Sequence, residues 1–340
     1  MLKITFINVG YGDAILLESG EGAFRIFIDG GGDEEFVPPL TGKIRSSTYL
    51  ERLGITELDL LVITHFHEDH VCGIEPFVMN GGRVRELWTP WRVPCNLWGV
   101  YPGLSGRDIP GEAGPPCPDG LSGSSKKFLD ALNSYNRIYE KLSRDGCLVK
   151  EIASPLYGHP LPPGITVDVL APSPALASFF SGALESLYRA GGDDFAARLS
   201  ALDRKMNDFS VVLRFVHGGL GILLPGDACP SAEAMNMWDK SRLKAHVLKL
   251  AHHGQEDSVS GDFIRAVAPQ IVVTCVSGDR RYNSANPLVY EEIKRAAPGI
   301  TPEFVFTDRV PLAYERCPLS RSALTIVFDD AIKYSFTTLC

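Results

Sequence analysis

The stretch VITHFHEDHVCG, from Val62 to Gly73, places three histidines and an aspartate within six positions, directly behind an apolar run. The preceding residues LDLLVIT are predicted to form a buried strand that ends at this cluster. Imidazole and carboxylate groups are common ligands of divalent metals. Two of the side chains lie two positions apart and can point the same way, and the next turn can bring Asp69 and His70 towards a second metal. The cluster predicts metal binding, provided that the chain supplies partners from elsewhere.

The second half of the chain offers two such partners, each at the end of a predicted strand. A hairpin in FSVVLRFVHGGLGILLPGD is expected to turn at its Gly-Gly pair and deliver Asp227, and the strand in AHVLKLAHHG delivers His253. The adjacent His252 is expected to point to the opposite face, where it would be packed or hydrogen-bonded. Both halves therefore send strand ends with ligand-type residues, which predicts two sheets that meet at one site.

The organisation of the chain is predicted to be a single domain over residues 1–340. A segment rich in Pro and Gly, at about 89–125, interrupts it as an insert, and a helix follows to about residue 144. A loop of this length in a compact domain is a functional lid or a disordered insert. The aromatic residues in and beside it could form a stacking surface for a base or an apolar group, but we favour the alternative that they anchor the loop by apolar burial: Trp88, Trp91, Trp98 and Tyr101.

Composition narrows the class of protein. The chain is 45% hydrophobic and 22% charged, which is ordinary for a globular protein. A formal net charge of −8 argues against a general nucleic-acid-coating protein, although bound cations would still allow a phosphate-ester substrate. The eight cysteines form no C-x-x-C pair, so a zinc ribbon or redox motif is unsupported. Without a signal-peptide pattern or a long apolar run, we expect a cytoplasmic protein with no membrane partner.

The motifs, taken in order, resemble those of a known family. THFHEDH resembles the H-x-H-x-D-H signature of the metallo-β-lactamase superfamily, IDGGG its Asp-Gly motif, PGD its bridging-aspartate motif and HHG its last histidine motif. FINVGYGDAILLE, NDFSVVLRF, LKLAHHG and RYNSANPLVYEEIK resemble the competence-type branch, a domain of DNA-uptake channel proteins that also occurs as stand-alone soluble proteins. The resemblance covers nearly the whole chain apart from residues 89–150. It implies an α/β fold, a four-layer αββα sandwich of two mixed β-sheets.

The resemblance also implies a pair of divalent ions, Zn²⁺ or Mn²⁺, held by six side chains: His65, His67, Asp69, His70, Asp227 and His253. The first two would bind one ion, Asp227 would bridge, and the other three would bind the second ion. We expect Asp69, Asp227 and His253 to be the catalytic side chains. Asp29 would orient the ligand loop by hydrogen bonds, as carboxylates behind a metal site do.

The chain departs from the superfamily pattern before the bridging aspartate, where many members supply another histidine. Here the sequence is KMNDFS, so Asn207 or Asp208 occupies the region, as is usual in the competence-type branch. An oxygen-richer first site shifts the metal preference from Zn²⁺ towards Mn²⁺ or Mg²⁺. For Asn207, a plain turn residue is an equally good interpretation.

Three further residues are candidate contacts to substrate. Asn286 stands where the branch often has a histidine before the proline of its late helix. Asp13 lies in the Gly-rich GYGD turn and is expected at the mouth of the site or as a plain turn carboxylate. Arg281 matches the branch pattern RY and is the first choice for holding a phosphate, ahead of Lys249.

The function that the resemblance favours is a metal-dependent hydrolase of phosphodiester bonds, in a nucleic acid or a nucleotide. Two ions about 3.5–4 Å apart would activate a hydroxide for the attack. Hydrolysis of carboxylic esters, lactones or lactams is one alternative, and a metal-stabilised binding or regulatory module with little turnover is another. The acidic balance favours a nuclease that trims ends or cuts small substrates over a processive one. The sequence carries no signal for an oligomeric state.

Overall fold

The computed structural model describes residues 1–20, 22–34, 36, 42–102, 121–190, 192–310, 322–329 and 334–339. These residues form two mixed β-sheets that pack face to face, with helices against both outer sides. The arrangement confirms the predicted four-layer αββα sandwich.

The first sheet has eight strands in the order β15-β14-β1-β2-β3-β4-β5-β6. Its strands are β1 (Leu2–Ile7), β2 (Ile15–Ser19), β3 (Phe24–Ile28), β4 (Glu57–Val62), β5 (Arg83–Thr89), β6 (Leu148–Glu151), β14 (Ala323–Phe328) and β15 (Tyr334–Leu339). The strands from β15 to β3 pair antiparallel, and those from β3 to β6 pair parallel. The change of direction at β3 aligns the carboxyl ends of β3 and β4.

The second sheet has seven strands in the order β13-β12-β11-β10-β9-β8-β7. Its strands are β7 (Leu156–Leu161), β8 (Ile165–Ala171), β9 (Val212–His217), β10 (Leu220–Leu224), β11 (Val247–Lys249), β12 (Ile271–Thr274) and β13 (Glu303–Phe306). The hairpin between β9 and β10 forms as predicted, and β10 to β13 pair parallel. The carboxyl ends of β10 and β11 therefore lie side by side.

Helices cover the two outer faces. Against the first sheet lie α1 (Ser46–Arg52), α2 (Glu68–Val71), α3 (Glu75–Met79), α4 (Gly123–Arg144), α5 (Pro174–Tyr188) and α6 (Gly192–Asp203). Against the second sheet lie α7 (Ala232–Met237), α8 (Gly261–Val267) and α9 (Pro287–Ala296). Across the described ranges, none of the helices has both the length and the apolarity to cross a bilayer.

Alternating side chains of the strands build the core. On β4, Leu60 and Val62 point between the sheets, whereas Leu58 and Leu61 point to the helices, and all four are buried. A strand that is apolar on both faces is typical of a parallel sheet covered by helices. The buried run before the histidine cluster is thus explained by its place in the middle of the fold.

The predicted insert is described at its two ends, and residues 103–120 lie outside the described residues. Trp88 and Trp91 are fully buried, which favours anchoring over a stacking surface for these two rings. The helix after the insert, α4, ends at Arg144 as predicted. It begins with Ser122 as its cap, because the hydroxyl oxygen of Ser122 accepts a hydrogen bond from the main-chain N–H of Ser125 at 3.2 Å.

Candidate metal centre

The loop after β4 carries four of the candidate ligands and is held by the turn between β1 and β2. The main-chain N–H of Asp13 donates to the carbonyl oxygen of Asp69 at 3.1 Å. At Gly12, which has φ +135°, a Cβ atom would lie 2.3 Å from that same oxygen, so only glycine fits. The Gly-rich turn therefore fixes the position of the Asp69 backbone.

Four candidate ligands from both sheets converge at the ends of their strands. Asp69, His70, Asp227 and His253 each place a ligand atom within 4.8 Å of the others. His253 Nε2 lies 3.2 Å from Asp69 Oδ2 and 3.4 Å from Asp227 Oδ2, and His70 Nε2 lies 3.3 Å from Asp227 Oδ2. Donors that share one tetrahedral ion at about 2.0–2.2 Å are separated by about 3.3 Å. The spacing is that of ligands around a metal.

The remaining two candidates, His65 and His67, lie beside these four. His65 Nε2 is 3.2 Å from His67 Nδ1, and the rings of His65 and His70 have centroids 4.2 Å apart. The other ring nitrogen of His65, Nδ1, lies 3.0 Å from the hydroxyl of Thr64. The structure thus brings all six predicted ligands together, as two histidines next to a cluster of four.

The donor set fits divalent cations. The Nε2 atoms of His70 and His253 are buried and make no hydrogen bond of good geometry, although carboxylate oxygens lie 3.2–3.4 Å away. Buried imidazole nitrogens without hydrogen bonds are uncommon in folded proteins. An ion between these nitrogens and the carboxylates of Asp69 and Asp227 would satisfy both kinds of atom.

Asp29 lies where the sequence predicted, behind the ligand loop. Its Oδ1 accepts from the main-chain N–H of Thr64 at 2.8 Å, and its Oδ2 accepts from the Thr64 hydroxyl at 2.7 Å. The same Oδ2 lies 2.8 Å from His70 Nδ1, which leaves His70 Nε2 free to face the cluster. Asp29 therefore orients one ligand directly and the start of the loop through Thr64.

Burial and neighbouring charge set the protonation of the centre. Burial lowers the pKa of His65 well below its ordinary value, and charge on the adjacent histidines adds to this, so the imidazole is neutral. Burial also acts to lower the pKa of His253, but the carboxylates of Asp227 and Asp69 outweigh it and raise the pKa to about 9. Burial acts to raise the pKa of Asp227, yet neighbouring histidines and a buried lysine hold it well below the usual range. The carboxylates thus favour a positive charge between them.

The buried lysine is Lys249 at the end of β11, and its position corrects two expectations. Lys249 is 0% exposed, and its ammonium group pairs with Asp13 and lies 3.5 Å from Asp227 Oδ1 and 3.0 Å from the carbonyl oxygen of Gly226. It is therefore occupied inside the protein and does not face a phosphate. Asp13 is likewise buried behind the centre, where its Oδ1 lies 3.5 Å from His253 Nδ1, and not at the mouth of the site.

The residue that approaches His67 from the second half is Asp203, which the sequence analysis did not single out. His67 Nε2 lies 3.4 Å from Asp203 Oδ1 and 3.2 Å from its carbonyl oxygen. Since Nδ1 of the same ring faces His65, Asp203 holds the ring from behind, as carboxylates do for metal-binding histidines. Asp203 is the last residue of α6, and no motif or spacing marks it.

Asn207 and Asp208, the expected occupants of this region, lie in the 3₁₀ turn Met206–Phe209. The buried Oδ1 of Asn207 has no hydrogen-bond partner among the described residues. Asp208 lines a separate cavity of about 100 Å³ together with Cys229. Neither side chain lines the cavity that opens in front of the candidate metal centre. Asp203, four residues before Asn207, lines that cavity instead.

The other two candidate contacts have different surroundings. Arg281 lines the cavity, but its guanidinium already pairs with Glu34 and, at 2.9 Å, with Asp279. Asn286 caps α9, where its Oδ1 accepts from the main-chain N–H of Leu288 at 3.0 Å. Arg281 stays a candidate for substrate contact, whereas the side chain of Asn286 has a structural role.

A cavity of about 270 Å³ opens in front of the centre. His67, Asp69 and Asp227 line its floor, and rings and cations that the sequence analysis passed over line its walls: Tyr11, Lys127, Phe128 and Tyr282. The ring of Tyr11 packs on His253 with centroids 4.3 Å apart, and its hydroxyl accepts from Gln255 Nε2 at 2.9 Å. Tyr11 belongs to the GYGD turn and Tyr282 to the RY pattern, so both could have been found there; Lys127 and Phe128 carry no sequence signal.

One family model matches part of the chain. The family model of the metallo-beta-lactamase superfamily matches residues 7–81, a segment that includes Asp29 and the ligand loop after β4. The chain is 23% identical over 303 residues to ComE operon protein 3 of Bacillus subtilis (strain 168). The alignment covers 86% of this chain and 30% of that protein, so the chain spans less than a third of the relative's length.

Two solved structures are similar to the chain at low sequence identity. The metallo-beta-lactamase fold protein YhfI from Bacillus subtilis has a TM-score of 0.43 and 11% identity, covering 91% of this chain and 97% of that one. Igni18, a metallo hydrolase from the hyperthermophilic archaeon Ignicoccus hospitalis KIN4/I, has a TM-score of 0.44 and 15% identity. The match covers 96% of this chain and 100% of that one.

Proposed function

We propose that the chain, whose residues 7–81 match the family model of the metallo-beta-lactamase superfamily, is a metal-dependent phosphodiesterase for a nucleotide or a nucleic-acid end. The observation that carries the proposal is the convergence of six imidazole and carboxylate side chains from both sheets, three of which (His67, Asp69 and Asp227) line the floor of one cavity. Convergence of this kind, from strand ends far apart in sequence, supports a pair of divalent ions as the centre.

Each ligand has a place in this centre. His65 and His67 would hold the first ion, and Asp69, His70 and His253 would hold the second, with Asp227 between them. When bound, the ions would supply a nucleophile from water at neutral pH and neutralise charge on the phosphoryl oxygens.

Side chains around the ligands orient the centre and the substrate. Asp29 and Asp203 fix the rings of His70 and His67 by contacts at 2.8 and 3.4 Å. Tyr11 stays neutral, because burial and then the carboxylates of Asp69 and Asp227 raise its pKa. Its hydroxyl can therefore donate a hydrogen bond to an oxygen of the substrate.

The cavity favours a small, singly charged substrate. Its volume of about 270 Å³ is slightly below that of ordinary ligand pockets, which is roughly 300–1,000 Å³. The cations at its wall are balanced, since Lys127 Nζ lies 3.6 Å from Glu68 Oε2 and Arg281 pairs with Glu34. A long polyanion would gain little from such a wall. The ring of Tyr282, 64% exposed, offers a face on which a base could stack.

The test is hydrolysis of a bis-aryl phosphate, a lactone and a β-lactam by protein loaded with Mn²⁺ or Zn²⁺. We expect the phosphate diester to be cut, and Asp227→Asn to lower kcat/KM at least about 100-fold, because the ligand shared by both ions is weakened. Asp262→Asn, at an exposed carboxylate of α8, is the matched control and should be unchanged. Cleavage of only the lactone or β-lactam would replace the proposal by the carboxylic alternative, and no turnover on any of the three would favour the binding module.

A further inference from the structure

A second cluster of metal-ligating side chains lies outside the six residues of the centre, and we propose that it is a separate zinc-type site formed by Cys229, His252 and Asp257. Cys229 Sγ lies 3.8 Å from His252 Nδ1, and Asp257 Oδ1 lies 3.1 Å from the same nitrogen. All three ligand atoms lie within 4.8 Å of one another.

The distances are those of three donors on one tetrahedral ion. With Zn–S of about 2.3 Å and Zn–N and Zn–O of about 2.0–2.1 Å, tetrahedral geometry separates S from N by about 3.6 Å and N from O by about 3.3 Å. The observed 3.8 and 3.1 Å match these separations without rearrangement of the side chains. An ion at the centre of the triangle would displace the thiol proton of Cys229, whose Sγ lies 3.5 Å from the carbonyl oxygen of Asp227, and any proton on His252 Nδ1; both protons are released to solvent.

The same geometry argues against a catalytic Cys-His-Asp triad. In such a triad the nucleophile and the carboxylate contact opposite nitrogens of the imidazole, so that a proton can pass through the ring. Here the thiol and the carboxylate both face Nδ1 of His252. The three groups converge on one point, as ligands do, and do not form a relay.

The backbone sends two consecutive histidines into two different clusters. His252 and His253 both adopt left-handed conformations, with φ 46° and 54°. Non-glycine residues seldom do so, and such backbone occurs preferentially at functional sites. As a result His253 faces Asp69 and Asp227, while His252 faces Cys229 and Asp257.

The donor chemistry selects the class of metal. A set of one thiolate, one imidazole and one carboxylate suits Zn²⁺ better than Mn²⁺ or Mg²⁺, which prefer oxygen. The Asp257 side chain is 58% exposed, so a fourth position is open to water or another small ligand. Because His252 also lines the main cavity, an ion here would fix part of its wall.

The experiment is Co²⁺ substitution of the full chain, since thiolate-bound cobalt gives a charge-transfer absorption in the near ultraviolet that nitrogen and oxygen ligands do not. We expect the band in the wild type and in Cys95→Ser, whose thiol is exposed and serves as the matched control. We expect Cys229→Ser to lose it, and Asp257→Asn, at an exposed position, to weaken cobalt binding at this site at least tenfold. Zinc titration should then give about one ion fewer per chain in Cys229→Ser and a weaker affinity for that ion in Asp257→Asn.

The inference is overturned if the wild type shows no such band, or if the band survives Cys229→Ser. It is equally overturned if Asp257→Asn binds cobalt with unchanged affinity, because His252 and Asp257 would then form only a hydrogen bond. The readout is the thiolate band and not turnover, so it is independent of the proposed phosphodiesterase activity.

Discussion

At the residue scale, the candidate centre rests on buried charges that compensate one another. Lys249 has no access to solvent, yet it lies between the carboxylates of Asp13 and Asp227. Burial acts to lower the pKa of Lys249, but these two carboxylates raise it above its usual value, so the ammonium stays charged. The lysine thus holds Oδ1 of Asp227 in place from behind, while Oδ2 of the same carboxylate faces His70 and His253.

Lys249→Met is expected to destabilise the protein by about 3–5 kcal/mol, because it leaves two buried carboxylates without their cation. The measurement is urea denaturation of metal-free protein. Lys141→Met is the control, since Lys141 pairs with Asp145 on the surface of α4 and such a pair contributes about 0–1 kcal/mol. Equal losses in the two variants would show that Lys249 is not a compensating charge.

The stability of the metal-free protein is expected to fall at high pH. The pKa of His253 is about 9 in the folded protein, against about 6.5 in an unfolded chain. A raised pKa means that the folded state binds the proton more tightly. This contribution is complete below about pH 6.5 and is lost as the pH rises through about 9.

Denaturation midpoints of metal-free wild type and His253→Gln on either side of this interval test the expectation. The wild type should lose stability more steeply than the variant, because only the wild type releases this proton. A parallel decline in both proteins would contradict the assignment to His253.

At the residue scale, the side chains that the sequence marked by clustering or by ending a strand, such as His65, His70, Asp227 and His253, lie close together in the structure, and their metal binding stays a prediction. Prediction failed for Asp203, whose contact with His67 depends on where α6 ends in space and on no local pattern.

At the element scale, the turns between strands decide where the ligands lie. The turn after β1 contacts the ligand loop after β4 through Gly12 and the carbonyl oxygen of Asp69. The periodicity of apolar residues predicts strands well, because it follows from which side chains are buried. The β9–β10 hairpin and the strands that precede the candidate ligands are present as predicted. The left-handed backbone of His252 and His253 could not be predicted, because local propensity disfavours it and tertiary contacts impose it.

Gly12→Ala is expected to displace the ligand loop and weaken metal binding at least about tenfold, because the new Cβ would meet Asp69 at 2.3 Å. Gly54→Ala is the matched control: Gly54 has φ +65° but nothing within 4 Å, so only the backbone strain of about 1–2 kcal/mol applies. Metal titration and thermal unfolding of both variants give the comparison. Retention of full metal affinity in Gly12→Ala would show that this close contact does not position the loop.

At the scale of the whole molecule, the two sheets are the scaffold that joins residues distant in sequence. β3 and β4 end at the same edge of the first sheet, and β10 and β11 end at the facing edge of the second. The order of the motifs predicted this sandwich, since each motif follows a strand. We propose that residues 1–340 form one domain with an insert. The reason is that strands from both halves of the chain contribute side chains to the same hydrophobic core. The side chains that line the cavity walls could not be predicted from the sequence, because α4 and the turn at Tyr282 come together only in the folded chain.

The most direct test of the central claim, a two-metal centre shared by both sheets, is a crystal structure with Mn²⁺ and its anomalous difference map. We expect two peaks about 3.5–4 Å apart. One should lie at His65 and His67, and the other between Asp69, His70 and His253, with Asp227 in contact with both. Peaks that avoid these side chains, or a well-ordered structure at saturating Mn²⁺ with no peak among them, would contradict the claim.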